Sequence, residues 1–254
     1  MAIRGRLADR IPAPISLRVR SERSVRRAFG LHAPADLITS LVPPGRNAID
    51  VGANRGVYAY WMSKRASVVD AFEPQPDLAR YIRSARLRNV RVHEIALSDH
   101  AGVARLLVPS NDGLARLASP DGADAVEAQA EAELGATTEL PVQIQTLDSL
   151  GLLDVDLEEA DVEGHELAVL RGANETIAKN RPVVFMESEA RHADGAPANV
   201  IELMRDRHGY KRAAFVRRWK IVDLEEFDLQ RDQLGLLPDF ANPDYVSNFV
   251  FWPS

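Results

Sequence analysis

With 254 residues, 27% charged and 46% hydrophobic, and ordinary glycine and proline content, the chain falls outside the disordered, collagenous and coiled-coil classes. The absence of cysteine removes a disulfide framework, thiolate zinc and iron–sulfur sites and a cysteine nucleophile together. The net charge of −6 is uneven: residues 1–30 carry eight arginines against Asp9 and Glu22, which leaves an acidic body that argues against nucleic acid as a partner.

No apolar run approaches the ~18–20 residues that span a bilayer, and the first 30 residues lack the apolar stretch of a signal peptide. A cytoplasmic location is expected, with membrane contact confined to the basic head, since a single electrostatic signal anchors weakly. Asp9, Glu22 and two early prolines count against a transit peptide. Residues 1–45 are read as a basic helical extension, serving as a lid or as a dimer contact, and 46–254 as the main domain.

Asn47–Val51 (NAIDV) opens that domain as a short apolar strand running into glycines. Tyr58–Lys64 reads as helix and Val68–Phe72 as a second strand. Pro76, suited to a first helical turn, starts a helix reaching about Asn89, and Val90–Leu97 is a third strand. Short apolar strands alternating with helices specify an α/β fold with a parallel sheet covered on both faces. Val103–Val108 and Val142–Thr146 look like paired strands. Between them an Ala-, Gly- and acid-rich excursion at about 111–140 is expected to be a mobile insertion and a second candidate lid. The rhythm returns with a strand at Val155–Asp161, in which Glu158 and Glu159 are unwelcome. A long helix at Gly164–Asn180, a strand at Val183–Met186 ending in Glu187 and a helix at Val200–His208 follow. Lys211–Val222 and Val246–Trp252 close the chain as strands, and their connection, with little helical pattern, predicts an antiparallel member.

Asp50-Val51-Gly52-Ala53-Asn54-Arg55-Gly56 follows a strand and opens a helix. Gly52 permits a tight turn, and Gly56 a close approach to the helix start. The spacing is G-x-x-x-G, not the G-x-G-x-x-G of dinucleotide sites, and by itself it is an ordinary strand-to-helix loop. Glu73 stands at the end of the neighbouring strand, where an acid can accept both hydroxyls of a ribose. Turn and acid together favour an adenosine-bearing ligand without a pyrophosphate.

Asp161-Val162-Glu163-Gly164-His165-Glu166 falls where a strand ends and a helix begins. Acids there complement the helix dipole, which accounts for Glu163 or Glu166 taken singly. A histidine among three acids, with Glu187 at the next strand end, points instead to acid–base chemistry, because carboxylates raise the basicity of an imidazole. The same oxygens suit a divalent cation, so Asp161 and Glu187 are also candidate metal ligands. His192 lies within chain reach of the crevice; His93, His100 and His208 are expected at solvent or beside satisfied neighbours, and His32 as structural.

The segments AIDVGANRGVYAYWMS, AFEPQP, IALSDHAG, IQTLDSL, ADVEGHELAVLRGA, VVFMESE and NFVFWP occur in that order. Together they resemble the FkbM family of S-adenosylmethionine-dependent methyltransferases over roughly residues 45–252. The resemblance implies a class I, Rossmann-like sheet of seven mostly parallel strands, the last antiparallel, with helices on both faces. It implies S-adenosylmethionine at the turn: Asp50, Gly52, Ala53, Asn54 and Gly56 at the amino-acid end, Glu73 on the ribose, and Ala96, Leu97, Ser98 and Asp99 near the adenine. It further implies O-methylation of a hydroxyl on a sugar, glycolipid or polyketide-type product, for which His165 is the preferred base, oriented by Asp161 or Glu187. Asp161 is the alternative base. The cleft is expected to be broad, with arginines at its rim.

One position departs from the family. A lysine usually stands two residues before the aspartate of DVEG, and here it is Glu159, preceded by Glu158. A metal, a basic substrate, Arg191 or the arginine-rich head are the candidate means of balancing that charge. The inversion also keeps open a non-catalytic member that binds S-adenosylmethionine or a partner protein. N-methylation is disfavoured because an Asn/Asp-Pro-Pro-aromatic loop is missing, and a dehydrogenase because the glycine spacing is wrong.

Overall fold

The computed structural model describes residues 33–109, 115–118, 137–239 and 242–254. The arginine-rich head, His32 and most of the 111–140 excursion lie outside the described residues. Three strands lead: Asn47–Val51 (β1), Val69–Phe72 (β2) and Val90–His93 (β3). Ala96–Leu97 (β4), Gly102–Pro109 (β5), Arg116–Leu117 (β6) and Thr137–Gln145 (β7) form a separate sheet in the order β4-β7-β5-β6. Val155–Ala160 (β8), Val183–Glu187 (β9), Arg212–Arg217 (β10), Lys220–Asp223 (β11) and Asn248–Trp252 (β12) complete the main sheet, ordered β11-β10-β12-β9-β8-β1-β2-β3.

β12 is antiparallel to both β9 and β10, while β2, β1, β8 and β9 run parallel to their neighbours in the centre. This is the expected seven-strand arrangement with one addition. Lys211–Val222, read as one strand, is a hairpin of β10 and β11. Its two turn residues, Arg218 and Trp219, both have positive φ (49° and 60°), the turn geometry that matches strand twist. Val90–Leu97 likewise divides, because Ala96 and Leu97 pair with Ile144 and Gln145 of the second sheet.

Helices cover both faces. Ala33–Leu41 (α1), Val57–Met62 (α2) and Pro76–Ser84 (α3) are followed by Glu166–Gly172 (α4), Asn174–Asn180 (α5), Ala198–Glu202 (α6) and Leu229–Asp232 (α7). Leu37, Ile38 and Leu41 of α1 and Ala59 and Met62 of α2 pack on Ala48, Val69, Ala71 and Leu157. Val169, Leu170, Ile177, Val200 and Met204 pack on the opposite face, against Ile49, Val51, Val184 and Met186. Burying each such Leu, Ile, Val or Met is worth about 1.5–3 kcal/mol, which is why the strand interiors tolerate so little polarity. The single helix expected at Gly164–Asn180 is two. Asp148 accepts the N–H groups of Glu175 (3.0 Å) and Thr176 (2.7 Å), which gives α5 an N-terminus of its own. Among the described residues no helix is long and apolar enough to cross a membrane.

β8 forms despite its two glutamates. Glu159 faces Asp50 across the β1–β8 register, under α1 and α2, and burial holds its carboxyl well above the ordinary range. Glu158 is fully buried, and neither carboxyl oxygen has a hydrogen-bond partner among the described residues. Burial, with the charge of Asp148 adding, pushes it up to about 8. The folded chain therefore holds a proton there that the unfolded chain has already lost, and stability falls as pH rises from the ordinary glutamate value towards about 8. Glu158→Leu is expected to raise the urea midpoint, with a gain of at least about 1 kcal/mol at about pH 8 and a smaller one at about pH 5. A midpoint that falls at both pH values would contradict this account.

Candidate active site

The C-terminal ends of β1, β2, β8 and β9 open into a cleft of about 290 Å³, near the lower end of small-molecule sites and narrower than expected. Gly52, Asn54, Phe72, Glu73, Gln75, Ala96 and Leu97 line one end, and Asp161, Val162, Glu163, His165, Glu187 and Arg191 line the other. The second sheet supplies an apolar wall through Leu106, Ala115 and Leu117.

The turn after β1 is fastened to both neighbouring strands. Gly52 N and Ala53 N donate to Phe72 O (3.0 and 2.9 Å), and Asp161 N donates to Val51 O (3.0 Å). Gly52 adopts φ +84°, and a Cβ there would stand 2.0 Å from the Asp161 carbonyl oxygen. The glycine is needed for strand-end packing as well as for the turn.

Glu73 is buried at the cleft floor. Asn54 N donates to its Oε2 (2.7 Å) and Gln75 N to its Oε1 (2.8 Å), so two backbone amides fix the carboxyl. Burial outweighs those bonds and raises it to about 7. Each oxygen keeps a second lone pair for a ligand hydroxyl.

Several residues expected to touch the ligand do not line the cleft. Asp50 lies on the sheet face below α2, opposite Glu159, and burial raises it to about 6. Ala53 belongs to the α1–α2 core, and Gly56 caps α2 against Ile82. Ser98 is buried and bonded to His165, and Asp99 pairs with the exposed His100 at 2.7 Å.

At the other end, His165 Nε2 lies 2.9 Å from Ser98 Oγ, and the hydrogen bond expected with Asp161 or Glu187 is not made. The ring stands at the N-terminus of α4, turned towards the segment that follows β4. Burial lowers its basicity against the opposing pull of Asp99. Asp161 and Glu187 bond to each other, and both are raised, chiefly by burial. Glu189, next along the chain, is pushed up by burial but brought down to about 2 by bonds from Arg191, Glu187 and Tyr245. Arg191 thus answers Glu189, not Glu159. Among the described residues no group of three or more His, Cys, Asp or Glu side chains is arranged to hold a metal ion.

His192 does reach the site: its Nε2 lies 3.2 Å from Glu163 Oε2. His93 bonds Asp70 (2.8 Å) and stacks on Phe72. His208 is buried with Nε2 unpartnered among the described residues, contrary to the satisfied setting expected. The wall from Leu106, Ala115 and Leu117 was not legible as part of a site; its only signal was the apolar content of β5.

The residues present fit an adenosyl sulfonium donor: a fixed carboxyl for the ribose diol, apolar walls for the base and acids for the cation. Sheet order, antiparallel β12 and the cleft at the strand ends define a class I, S-adenosylmethionine-dependent methyltransferase fold. The methyltransferase FkbM domain matches residues 50–212, and the chain belongs to that family. Among solved structures, methyltransferase FkbM from Methylobacillus flagellatus KT is similar with a TM-score of 0.50 and 10% identity, over 95% of this chain and 60% of that one. The chain therefore spans about 60% of the length of that neighbour. A TehB-like SAM-dependent methyltransferase from Corynebacterium glutamicum gives 0.46 and 12%, over 96% of this chain and 100% of that one. No curated protein matches the chain in sequence.

Proposed function

We propose that the chain transfers a methyl group from S-adenosylmethionine to a hydroxyl of a sugar, glycolipid or polyketide-type acceptor. The observation that carries the donor half is Glu73, held by the Asn54 and Gln75 amides between the Gly52 turn and Ala96–Leu97. When bound, the donor supplies an activated methyl: the carbon–sulfur bond breaks with its electron pair left on sulfur, and an acceptor oxygen pair forms the new bond. The protein's share is alignment, water exclusion and removal of the hydroxyl proton. Glu73 holds the ribose, Phe72, Leu97, Leu106 and Leu117 exclude water, and the acids at the ends of β8 and β9 surround the reacting centre. Family membership supports methyl transfer, and the cluster of carboxyls supports an acceptor that must lose a proton.

The test has two stages. Calorimetric titration with S-adenosylmethionine should show one saturable site. Labelled methyl transfer should then be screened over hydroxylated sugars, glycolipids and polyketides. Absence of donor binding would remove the enzyme reading, and transfer to an amine alone would replace the hydroxyl acceptor.

A further inference from the structure

Ser98 is fastened on three sides. Its N–H donates to Gln145 O at the end of β7 (2.9 Å). Its carbonyl lies so close to α4 that a Cβ on Gly172 would stand 2.0 Å from the oxygen. Its Oγ lies 2.9 Å from His165 Nε2. The segment after β4 thus meets α4 at both ends, through a side chain where the helix starts and through backbone at its last residue. Ser98 is 1% exposed, so its hydroxyl must find its partners within the protein.

The direction of the bond to His165 follows from what lies behind the serine. A hydroxyl has one hydrogen to give. Asp99 Oδ1 lies 3.4 Å from Ser98 Oγ and accepts it. Asp99 also accepts from His100 Nδ1 (2.7 Å), and that bond, against burial and with help from Ser98, holds the carboxyl below its ordinary range. An ionised carboxylate can only accept. The serine oxygen is therefore left to accept from the imidazole, which places the hydrogen of neutral His165 on Nε2. Nδ1 is then the nitrogen with the lone pair. It has no hydrogen-bond partner among the described residues, and it is not one of the sealed polar atoms of the interior. The ring lines the cleft beside Val162 and Glu163.

We propose that Ser98 is the positioning residue for the acceptor half of the reaction: by accepting the Nε2 hydrogen it fixes the ring and its tautomer, and it leaves Nδ1 to take the acceptor's hydroxyl proton. The inference rests on the hydroxyl-acceptor reading above and names the base for it. The hydrogen bond made by one ring nitrogen decides what the other can do. Burial lowers the basicity of His165, Asp99 opposes and His100 adds to the fall, so the ring is neutral at neutral pH, as a proton acceptor must be. The other charged groups of the wall it shares are Asp161, Glu163, Glu187 and Arg191. The step balances. Nδ1 takes the proton as the acceptor's O–H bond breaks, the oxygen's electron pair forms the bond to the methyl carbon, and the pair of the broken carbon–sulfur bond leaves with sulfur. His165 then returns the Nδ1 proton to water, with its Nε2 hydrogen still held by Ser98.

The test uses the full chain, isotopically labelled at the histidine nitrogens and followed by NMR. With six histidines each ring is traceable, and His165→Gln identifies its signals by their loss. At pH 7 the expected pattern is a hydrogen on Nε2 and a lone pair on Nδ1, free and with S-adenosylhomocysteine bound; on acidification the second proton arrives at Nδ1. Ser98→Ala is expected to give mixed tautomers. It should also lower kcat for labelled methyl transfer to the panel of hydroxylated sugars, glycolipids and polyketides by about 10- to 100-fold, with the KM for S-adenosylmethionine unchanged. A wild-type ring with its hydrogen on Nδ1 would overturn the inference, and needs no variant. So would a Ser98→Ala chain that keeps the wild-type kcat, or one that loses kcat with the tautomer unchanged. Failure of S-adenosylhomocysteine to bind the wild type would remove the donor reading. A wild type that binds it but methylates no member of the panel would remove the hydroxyl acceptor, and the base role with it.

Discussion

Glu73→Ala weakens S-adenosylhomocysteine binding by roughly 100- to 10,000-fold, because two hydrogen bonds to a charged group are lost and each is worth about 1.5–3 kcal/mol. The variant also leaves the Asn54 and Gln75 amides without their acceptor, so the turn keeps only its backbone bonds to Phe72 at the end of β2. Glu73→Gln keeps an acceptor for one amide and should fall between the two. The wild-type affinity carries its own signature. Burial places the free carboxyl at about 7, whereas a ligand diol prefers the ionised form. Binding below that value must expel a proton, so affinity drops about tenfold for each pH unit below about 7 and is level above it. S-adenosylhomocysteine is the right probe, since it brings no charge at sulfur. Calorimetry from acid to mildly alkaline pH reads both effects. A flat profile, or a Glu73→Ala chain that binds like the wild type, would remove Glu73 from the ribose.

Gly52→Ala is expected to cost at least about 4 kcal/mol and to abolish donor binding along with it. The left-handed backbone alone accounts for about 1–2 kcal/mol. The remainder is a collision. The new methyl would meet the Asp161 carbonyl oxygen at 2.0 Å and its carbon at 3.0 Å, both backbone atoms with no rotamer to turn aside. Relief requires β1 and β8 to part at their ends, which breaks the bond from Asp161 N to Val51 O. Gly151→Ala is the control. Its φ is also positive, at +59°, but nothing stands within 4 Å of the added atom, so only the backbone cost applies. Urea unfolding of the two variants separates strain from collision; equal losses would refute the packing account.

Much of this fold is written in short-range pattern. β1, β2 and β9 are short, mostly apolar runs buried on both faces, and the run of such strands with intervening helices leaves few other arrangements. The divided elements escaped because the divisions are decided at a distance. Ala96–Leu97 leaves the line of β3 because β7, far along the chain, offers it a partner. The helix at 164–180 breaks because Asp148 arrives to cap its second half. The same holds at the site. Glu73 was legible from its place after a strand. The turn from Asp50 to Gly56 was legible as a motif, but which of its side chains face the cleft depends on α1, α2 and α3 packing behind it. The partner of His165 was not legible, since Ser98 and His165 meet only when β4 and α4 are brought together. Glu163 and His192 were visible as residues but not as a pair, because the contact that joins them is between two loop backbones.

The hairpin at the end of the main sheet bears on solubility. A sheet edge offers unpaired amides and carbonyls to any other strand, and β10, with its run of buried residues, would be an adhesive one. β11 covers it and becomes the edge in its place: four residues long, mostly exposed, with Lys220 and Asp223 at its ends. The far edge, β3, is as short and carries Arg91. Both margins are thus too brief and too charged to recruit strands from another molecule, a safeguard against aggregation in a chain whose interior strands are buried on both faces.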